Sequence, residues 1–215
     1  TPTDTLKPTP TDLVPQPLSD SSISFKVAFA GISPNAECVN EYFIPETRLR
    51  LEVNNVPTNK FDNDIQSSFE RVGNEVDSKG NQIFKVTQTL DKNKFGSVNK
   101  FNYVKVKGPW HLKRRMCQDK QSSKLSETTG CDIDLKATSG KVYDFSQYTL
   151  LAGDVFDPPD GVINVLDLGY IKTRLDPGAY ESNTCGLEGD LNLDRVVNTI
   201  DLNLVKDALT ERDDE

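Results

Sequence analysis

The feature that most constrains this chain is a sequence repeat in its last 65 residues. From Asp160 onward, one pattern returns after 34 positions. The matched pairs are Asp160 and Asp194, Ile163 and Val197, Asn164 and Asn198, Asp167 and Asp201, Leu168 and Leu202, Lys172 and Lys206, and Leu175 and Leu209. A repeat of this kind indicates one structural unit made twice. The acidic and amide side chains are duplicated together with the apolar ones.

Each copy contains a loop with regularly spaced oxygen-bearing side chains. Ca²⁺ takes about 6–8 oxygen ligands, and positions 1, 3, 5, 7, 9 and 12 of an EF-hand loop supply them. Position 7 uses its backbone carbonyl. In the second copy these positions are Asp190, Asn192, Asp194, Val196, Asn198 and Asp201. In the first copy they are Asp154, Asp157, Asp160, Val162, Asn164 and Asp167. The sequence therefore predicts two Ca²⁺ sites.

Apolar residues at helical spacing follow each loop. They are Leu168, Ile171 and Leu175 in the first copy and Leu202, Leu204, Val205, Ala208 and Leu209 in the second. A period of 3.6 residues predicts an amphipathic helix after each loop. No such pattern precedes either loop, so each copy is half an EF-hand, a loop and then a helix. An apolar residue at position 8, Ile163 or Val197, would let the two loops touch through a short backbone bridge.

This tandem pattern, over about residues 151–210, resembles the dockerin family. Dockerins are calcium-binding modules that dock into cohesin partners in bacterial and archaeal surface assemblies. The resemblance implies a protein partner that contacts loop positions 10 and 11, where cohesin-binding dockerins present their recognition residues. Here these positions hold Val165, Leu166, Thr199 and Ile200. Such apolar side chains could bind a cohesin or pack inward against the rest of the chain.

Two departures from the loop pattern are expected to weaken the sites. The first copy has two extra residues between Asp154 and Asp160, where two prolines stiffen the loop, and we assign position 3 to Asp157. In the second copy Arg195 replaces the glycine expected at position 6. That position usually needs a positive φ, where a side chain costs roughly 1 kcal/mol.

Residues 22–150 alternate apolar and polar side chains. The alternation is clearest at residues 23–29 and 47–53. Further strands are predicted at residues 67–72, 82–90, 101–107, 110–116, 132–137 and 143–150, with turn-forming clusters between them. Seven or eight short strands predict an antiparallel β-sandwich of immunoglobulin-like type. The expected fold is therefore mainly β, with a small α module at residues 151–210.

The two ends of the chain differ in composition. Residues 1–21 are rich in Thr and Pro. Proline fixes φ and removes a backbone donor, so this stretch predicts an extended tail or linker. Residues 211–215 form an acidic tail, and such a like-charge run is usually solvated.

Four cysteines, Cys38, Cys117, Cys131 and Cys185, occur with one methionine. An even number, beside extracellular-type calcium loops, indicates two disulfides and an extracellular or cell-surface location. Four cysteines allow three pairings. One of them joins Cys117 to Cys131 locally and Cys38 to Cys185, which lies between the calcium loops. A Cys₄ zinc site is disfavoured because no C-x₂-C pair is present.

Charge and hydropathy exclude two classes of partner. Of the 33 acidic and 25 basic residues, 15 and five respectively lie in residues 151–215, so the acidity belongs largely to the repeat. A nucleic-acid binder would show a basic face instead. No stretch approaches the roughly 18 apolar residues of a membrane span.

Residues 103–115 are the most individual part of the β pattern, because Trp110 stands beside a basic run. They could bind an acidic polysaccharide, dock the acidic calcium module, or contribute a core tryptophan beside a solvated strand. His111 is the only histidine and fits a structural role. We find no nucleophile motif, no phosphate-binding glycine loop and no His-based metal cluster, so no catalytic residue is predicted.

Three functions are considered, and the least favoured is a small hydrolase, because the carboxylates that stand out are already assigned to calcium. The other two fit these features better. The first is a structural subunit of a cell-surface assembly or filament, linked through residues 1–21, with calcium stabilising the dockerin-like module. Adding an extended segment to a sheet edge is a recognised way to link such subunits. The second is a carbohydrate-binding or adhesive module whose dockerin docks to a cohesin partner. The first is the preferred interpretation at this point.

Overall fold

A computed structural model describes residues 21–52, 63–66, 69–90, 100–101, 103–116, 133–134, 142–156, 158–175, 180–181 and 184–209. In these ranges the fold is mainly β with a small helical part. In chain order the strands are β1 (Ser21–Ala28), β2 (Arg48–Glu52), β3 (Asn63–Gln66), β4 (Phe69–Val76), β5 (Gln82–Leu90), β6 (Lys100–Phe101), β7 (Tyr103–Lys107), β8 (Arg114–Met116), β9 (Ile133–Asp134), β10 (Val142–Asp144), β11 (Tyr180–Glu181) and β12 (Val196–Val197). The helices are α1 (Ile44–Glu46), α2 (Val165–Arg174) and α3 (Thr199–Ala208). None of these described helices has the length and apolarity needed to cross a membrane.

Two four-stranded sheets and a two-stranded pair of β6 and β9 form the β region, which we define as the described residues before Gly153. The first has the order β10-β1-β5-β4, and the second has the order β3-β2-β7-β8. In the first sheet Phe25 lies opposite Val86 on antiparallel β5 and opposite Tyr143 on β10, which runs parallel to β1. The prediction of a purely antiparallel sheet is therefore wrong. A period of two reveals which face a side chain occupies but not the direction of the neighbouring strand.

Several strand predictions are confirmed, and others fail at identifiable places. β1, β2 and β5 lie where the alternation placed them. The strand expected at residues 110–116 is reduced to β8, because Trp110 closes a turn and His111 makes only an isolated bridge to Ala152. The strand expected at residues 143–150 ends at Asp144, where Phe145 begins a turn. β3 was not predicted, and its Asn and Asp residues are types that are depleted in strands.

The centre of the β region is an aromatic cluster around the fully buried Phe29. Its ring lies 4.8 Å from that of Phe43 and 5.7 Å from that of Phe84, both in edge-on geometry. Phe43 comes from a π-helical turn, Val39–Phe43, that runs directly into α1. Edge-on aromatic pairs add about 0.5–1.5 kcal/mol beyond area burial. This turn therefore adds a large apolar side chain to the core.

The same hydrophobic core continues into the sequence repeat. Buried residues of the repeat that belong to it include Ile163, Ile171, Leu191, Leu193, Val197, Val205 and Ala208. The β region and the repeat approach each other closely at Gly31, whose φ is +86°. A Cβ at this position would lie 2.6 Å from Leu204 Cδ1. The β region and the repeat therefore pack as one core, and the backbone at Gly31 leaves no room for a side chain.

Candidate metal centre

The second loop brings three predicted acidic ligands into one neighbourhood. Asp190 and Asp201 are fully buried, while Asp194 is exposed. Asp190 accepts from the N–H groups of Asp194 (3.1 Å) and Arg195 (2.8 Å). Asp201 Oδ1 accepts from Leu191 N–H at 2.7 Å. These hydrogen bonds wrap the loop around its own carboxylates.

Electrostatics in this loop favour a cation. Burial, followed by repulsion from Asp201 and Asp194, raises the pKa of Asp190 to about 7. Burial, with repulsion from Asp194, raises the pKa of Asp201 to about 6. Desolvation and like charges both disfavour the ionised carboxylate. A divalent cation would relieve both effects, so the donor set is one that calcium suits.

The remaining predicted ligands of the second loop lie beside these carboxylates. Asn192 donates from Nδ2 to Asp194 Oδ2 at 2.8 Å, and Asp194 Oδ1 accepts from Val196 N–H at 2.9 Å. Among the described residues, however, no three His, Cys, Asp or Glu side chains converge as a preformed metal site. The carboxylates accept loop amides instead. A carboxylate has about four lone-pair sites, so these bonds leave capacity for a cation.

The helices that follow the two loops are capped in the same way at their N-termini. Asn164 Oδ1 accepts from Leu166 N–H at 2.7 Å, and Asp167 Oδ2 accepts back from Asn164 N–H at 2.8 Å. Asn198 and Asp201 make the same reciprocal pair at the start of α3. Each pair is a capping box that satisfies otherwise unpaired amides. Positions 9 and 12 of each loop thus define where the loop ends and the helix begins.

The first loop differs in how its carboxylates are held. Asp154, at position 1, is fully buried and accepts from Lys107 Nζ at 2.7 Å and from Gly161 N–H at 3.3 Å. Asp160 caps its own turn by accepting from Val162 N–H at 2.9 Å. Asp157 lies outside the described residues, so its assignment to position 3 remains a prediction. The positively charged group beside Asp154 is the ammonium of Lys107 on β7. The spacing of the loop residues gives no indication of this contact.

Position 6 has the backbone conformation that the sequence predicted. Arg195 has φ of +69°, and Gly161 at the same position of the first loop has φ of +81°. Leu193, at position 4, also has a positive φ of +60°, and its carbonyl accepts from Cys38 N–H at 3.4 Å. Two non-glycine residues in the left-handed region make this a strained turn.

Comparison with known families agrees with this geometry. Residues 153–210 match the family model of the dockerin type I domain. This segment is a dockerin type I domain. No curated protein and no solved structure gives a significant match to the chain. The match covers the two loops and both long helices, and it leaves the β region without an assigned family.

The helices of the dockerin domain pack as the periodicity predicted. Val205 and Ala208 of α3 are buried, and Leu204 and Leu209 are partly buried against the same core. In α2 Ile171 is fully buried between the partly buried Leu168 and Leu175. Val197 pairs with Tyr180 in the connection between the two copies. The expected backbone bridge between the two loops stays a prediction.

Apolar side chains at loop positions 10 and 11 point away from the core. Val165 is 73% exposed, Leu166 51% and Ile200 53%. The alternative that they pack inward is therefore wrong. Ile200 also lines a cavity of about 420 Å³, together with residues of the β region and of the second loop: Gly31, Ser33, Asn35, Ala36, Glu37, Asn192 and Asp194.

A disulfide and a set of backbone contacts join the dockerin domain to the β region. A disulfide links Cys38 to Cys185, as in one of the three pairings, while Cys117 and Cys131 lie outside the described residues. Trp110 is only 8% exposed and stacks on Tyr42 with ring centroids 5.1 Å apart. Its carbonyl accepts from Gly153 N–H at 2.8 Å. Trp110 belongs to the hydrophobic core, as the alternative of a core tryptophan predicted, and it presents little ring surface for a carbohydrate. Lys107 and the Trp110 carbonyl also contact the start of the first loop, so the docking alternative agrees with the structure as well.

Proposed function

We propose that this protein is a non-catalytic subunit of an extracellular or cell-surface assembly that docks through its dockerin domain to a cohesin partner. The observation that carries the proposal is the exposure of Val165, Leu166 and Ile200 at the start of α2 and α3. They are three of the six large apolar side chains that are exposed among the described residues, and exposed apolar patches mark interaction sites. The disulfide between Cys38 and Cys185 supports an oxidising, extracellular compartment.

We propose that calcium holds the two loops in the conformation that presents this surface. In the second loop the ion would be held by the Val196 carbonyl and by the side chains of Asp190, Asn192, Asp194, Asn198 and Asp201, and the corresponding residues of the first loop would hold another. When bound, calcium supplies the positive charge that lets several buried carboxylates stay ionised together. Binding energy of this kind becomes folding energy, because the unfolded loop has no site.

The β region is proposed to act as a rigid companion of the docking domain. Its two sheets and shared core are compatible with the immunoglobulin-like sandwich that the sequence predicts, and residues 22–150 and 151–210 remain our proposed units. Linkage through residues 1–21 concerns a segment that lies, apart from Ser21, outside the described residues. The docking proposal does not depend on it.

Binding to a panel of cohesin domains tests the proposal. The full chain is titrated by calorimetry against each domain in calcium and in EDTA. We expect at least one cohesin to bind only in calcium. The double variant Leu166→Lys/Ile200→Lys should then bind about thirtyfold or more weakly, since hot-spot residues contribute about 2 kcal/mol or more.

The control is Val76→Lys, which adds the same charge at an exposed apolar position of β4. It should leave cohesin affinity unchanged. The proposal fails if no cohesin binds, if EDTA has no effect, or if the double variant and the Val76 variant bind alike.

A further inference from the structure

The first calcium loop is attached to the β region through its leading residues. Gly153 N–H donates to the Trp110 carbonyl at 2.8 Å, and Asp154 N–H donates to the same oxygen at 3.2 Å. One residue earlier, Ala152 forms an antiparallel bridge with His111. These contacts fix the backbone at loop position 1 beside the connection that leaves β7.

Lys107, at the end of β7, places its ammonium on the carboxylate of this position. Lys107 Nζ lies 2.7 Å from Asp154 Oδ2 and donates also to the His111 carbonyl at 3.0 Å. The Asp154 side chain is fully buried, whereas the Lys107 side chain is 31% exposed. A buried carboxylate needs a partner of opposite charge, and here the chain itself supplies one.

The second loop is arranged differently around the equivalent residue. The described contacts of the Asp190 carboxylate are the backbone amides of Asp194 and Arg195. The guanidinium of Arg195 instead pairs with Glu37, 3.3 Å away. The two loops therefore carry the same predicted ligands, but among the described residues a lysine ammonium contacts the position-1 carboxylate in the first loop alone.

We propose that Lys107 serves the first loop as a tethered counter-cation, so that calcium fills the second loop first and enters the first loop only by displacing the ammonium from Asp154. This inference rests on the proposed calcium binding. Calcium at the first loop must either break the Lys107–Asp154 pair or share Asp154 with a like charge, and both cost free energy. The β region would thereby set the affinity of one dockerin loop.

Calcium titration calorimetry of the full chain tests the assignment. The variant Lys107→Met removes the charge and keeps an unbranched side chain of similar length. The matched control, Lys172→Met, removes the same charge from an exposed position of α2. We expect Lys107→Met to tighten the weaker calcium step about tenfold, equivalent to about 1.4 kcal/mol, and to leave the stronger step unchanged. Lys172→Met should change neither step.

Each outcome of the titration decides something. A second calcium ion that becomes detectable only in Lys107→Met also supports the proposal. A weaker step that stays the same, or weakens, in Lys107→Met overturns it and leaves Lys107 as a structural contact. If the wild-type chain binds no calcium, the proposed calcium binding fails and this inference fails with it. Two equal steps that ignore Lys107→Met overturn this inference alone.

Amine labelling of the unmodified protein gives an independent test if Lys107→Met does not fold. The reactivity of Lys107 is followed by mass spectrometry as calcium is added, with Lys172 as the internal reference. We expect Lys107 to become at least about threefold more reactive as the weaker calcium step saturates, because its ammonium leaves the buried carboxylate. Unchanged reactivity across both steps would overturn displacement.

Discussion

At the scale of single residues, Arg195 destabilises the second calcium loop locally. Its φ of +69° is one that glycine adopts freely, and its buried Nε has no described hydrogen-bond partner. Against these costs stands an ion pair with Glu37 that is partly exposed on both sides. Exposed pairs contribute about 0–1 kcal/mol, which is too little to outweigh both terms.

We therefore predict that Arg195→Gly stabilises the fold when both of the compared proteins lack the ion pair with Glu37. In a Glu37→Gln background, Arg195→Gly should raise the free energy of unfolding by about 1 kcal/mol in urea titrations. The converse change, Gly161→Ala at φ +81°, should lower it by about the same amount. Equal stability of Arg195→Gly and its Glu37→Gln parent would show that the turn is unstrained.

His111 is the residue from which a pH dependence can be derived. It is buried against Phe29 and Phe43, and its Nε2 donates to the Ala30 carbonyl at 3.1 Å. Burial, followed by the charge of Lys107, lowers the pKa of His111 to about 4. Because the unfolded chain protonates near pH 6.5 and the folded chain does not, stability is lost as the pH falls from about 6.5 towards 4.

The expected loss from His111 between pH 7 and pH 5 is about 2 kcal/mol. His111→Gln, which cannot titrate but can still donate to Ala30, should lack this part of the pH dependence. Comparison of urea unfolding at the two pH values cancels the carboxylate contributions that both proteins share. Identical pH profiles for the two proteins would contradict the buried neutral histidine.

At the scale of elements, α2 and α3 begin at the same two residue types for a physical reason. The asparagine at loop position 9 caps the helix, and the aspartate at position 12 accepts a hydrogen bond from the backbone N–H of that asparagine. We predict that in saturating calcium Asn198→Ala lowers the free energy of unfolding by about 1 kcal/mol or more, whereas Asn198→Ser, which keeps a capping oxygen, costs at most a few tenths. Equal losses for Ala and Ser would exclude the cap.

The repeat made the helical elements predictable, whereas the β region was predicted only in part. A pattern of ligands and 3.6-residue spacing locates both loops and both helices. β1 and β5 follow from alternation alone. The parallel direction of β10 does not, because alternation is the same in parallel and antiparallel pairs. β3 could not be predicted either, since Asn and Asp in a strand depend on pairing with β2 for their conformation.

The candidate site was likewise predictable from the sequence only in part. The loop spacing predicts the ligand positions, which stay a prediction, and the glycine rule correctly predicted a positive φ at Arg195. The role of Lys107 arises from a contact between residues 47 positions apart. Its sequence signal was limited to a basic run at residues 103–115, for which docking of the acidic module was only one of three alternatives.

At the scale of the whole molecule, the β region and the dockerin domain share one core and one disulfide. The bridge between Cys38 and Cys185 spans 147 residues. Restricting a loop of this length in the unfolded chain stabilises the fold by typically about 2–4 kcal/mol. We predict that Cys38→Ser/Cys185→Ser loses this amount in urea unfolding. A change within about 0.5 kcal/mol would show that packing alone joins the two parts.

The central claim is that calcium folds the dockerin segment of this chain. Amide hydrogen exchange of the full chain, in calcium and in EDTA, tests it most directly. The account predicts that EDTA strongly reduces protection in α2, α3 and both loops, whereas the amides that pair β1 with β5 keep most of theirs. Equal protection of residues 184–209 in calcium and in EDTA would contradict the account.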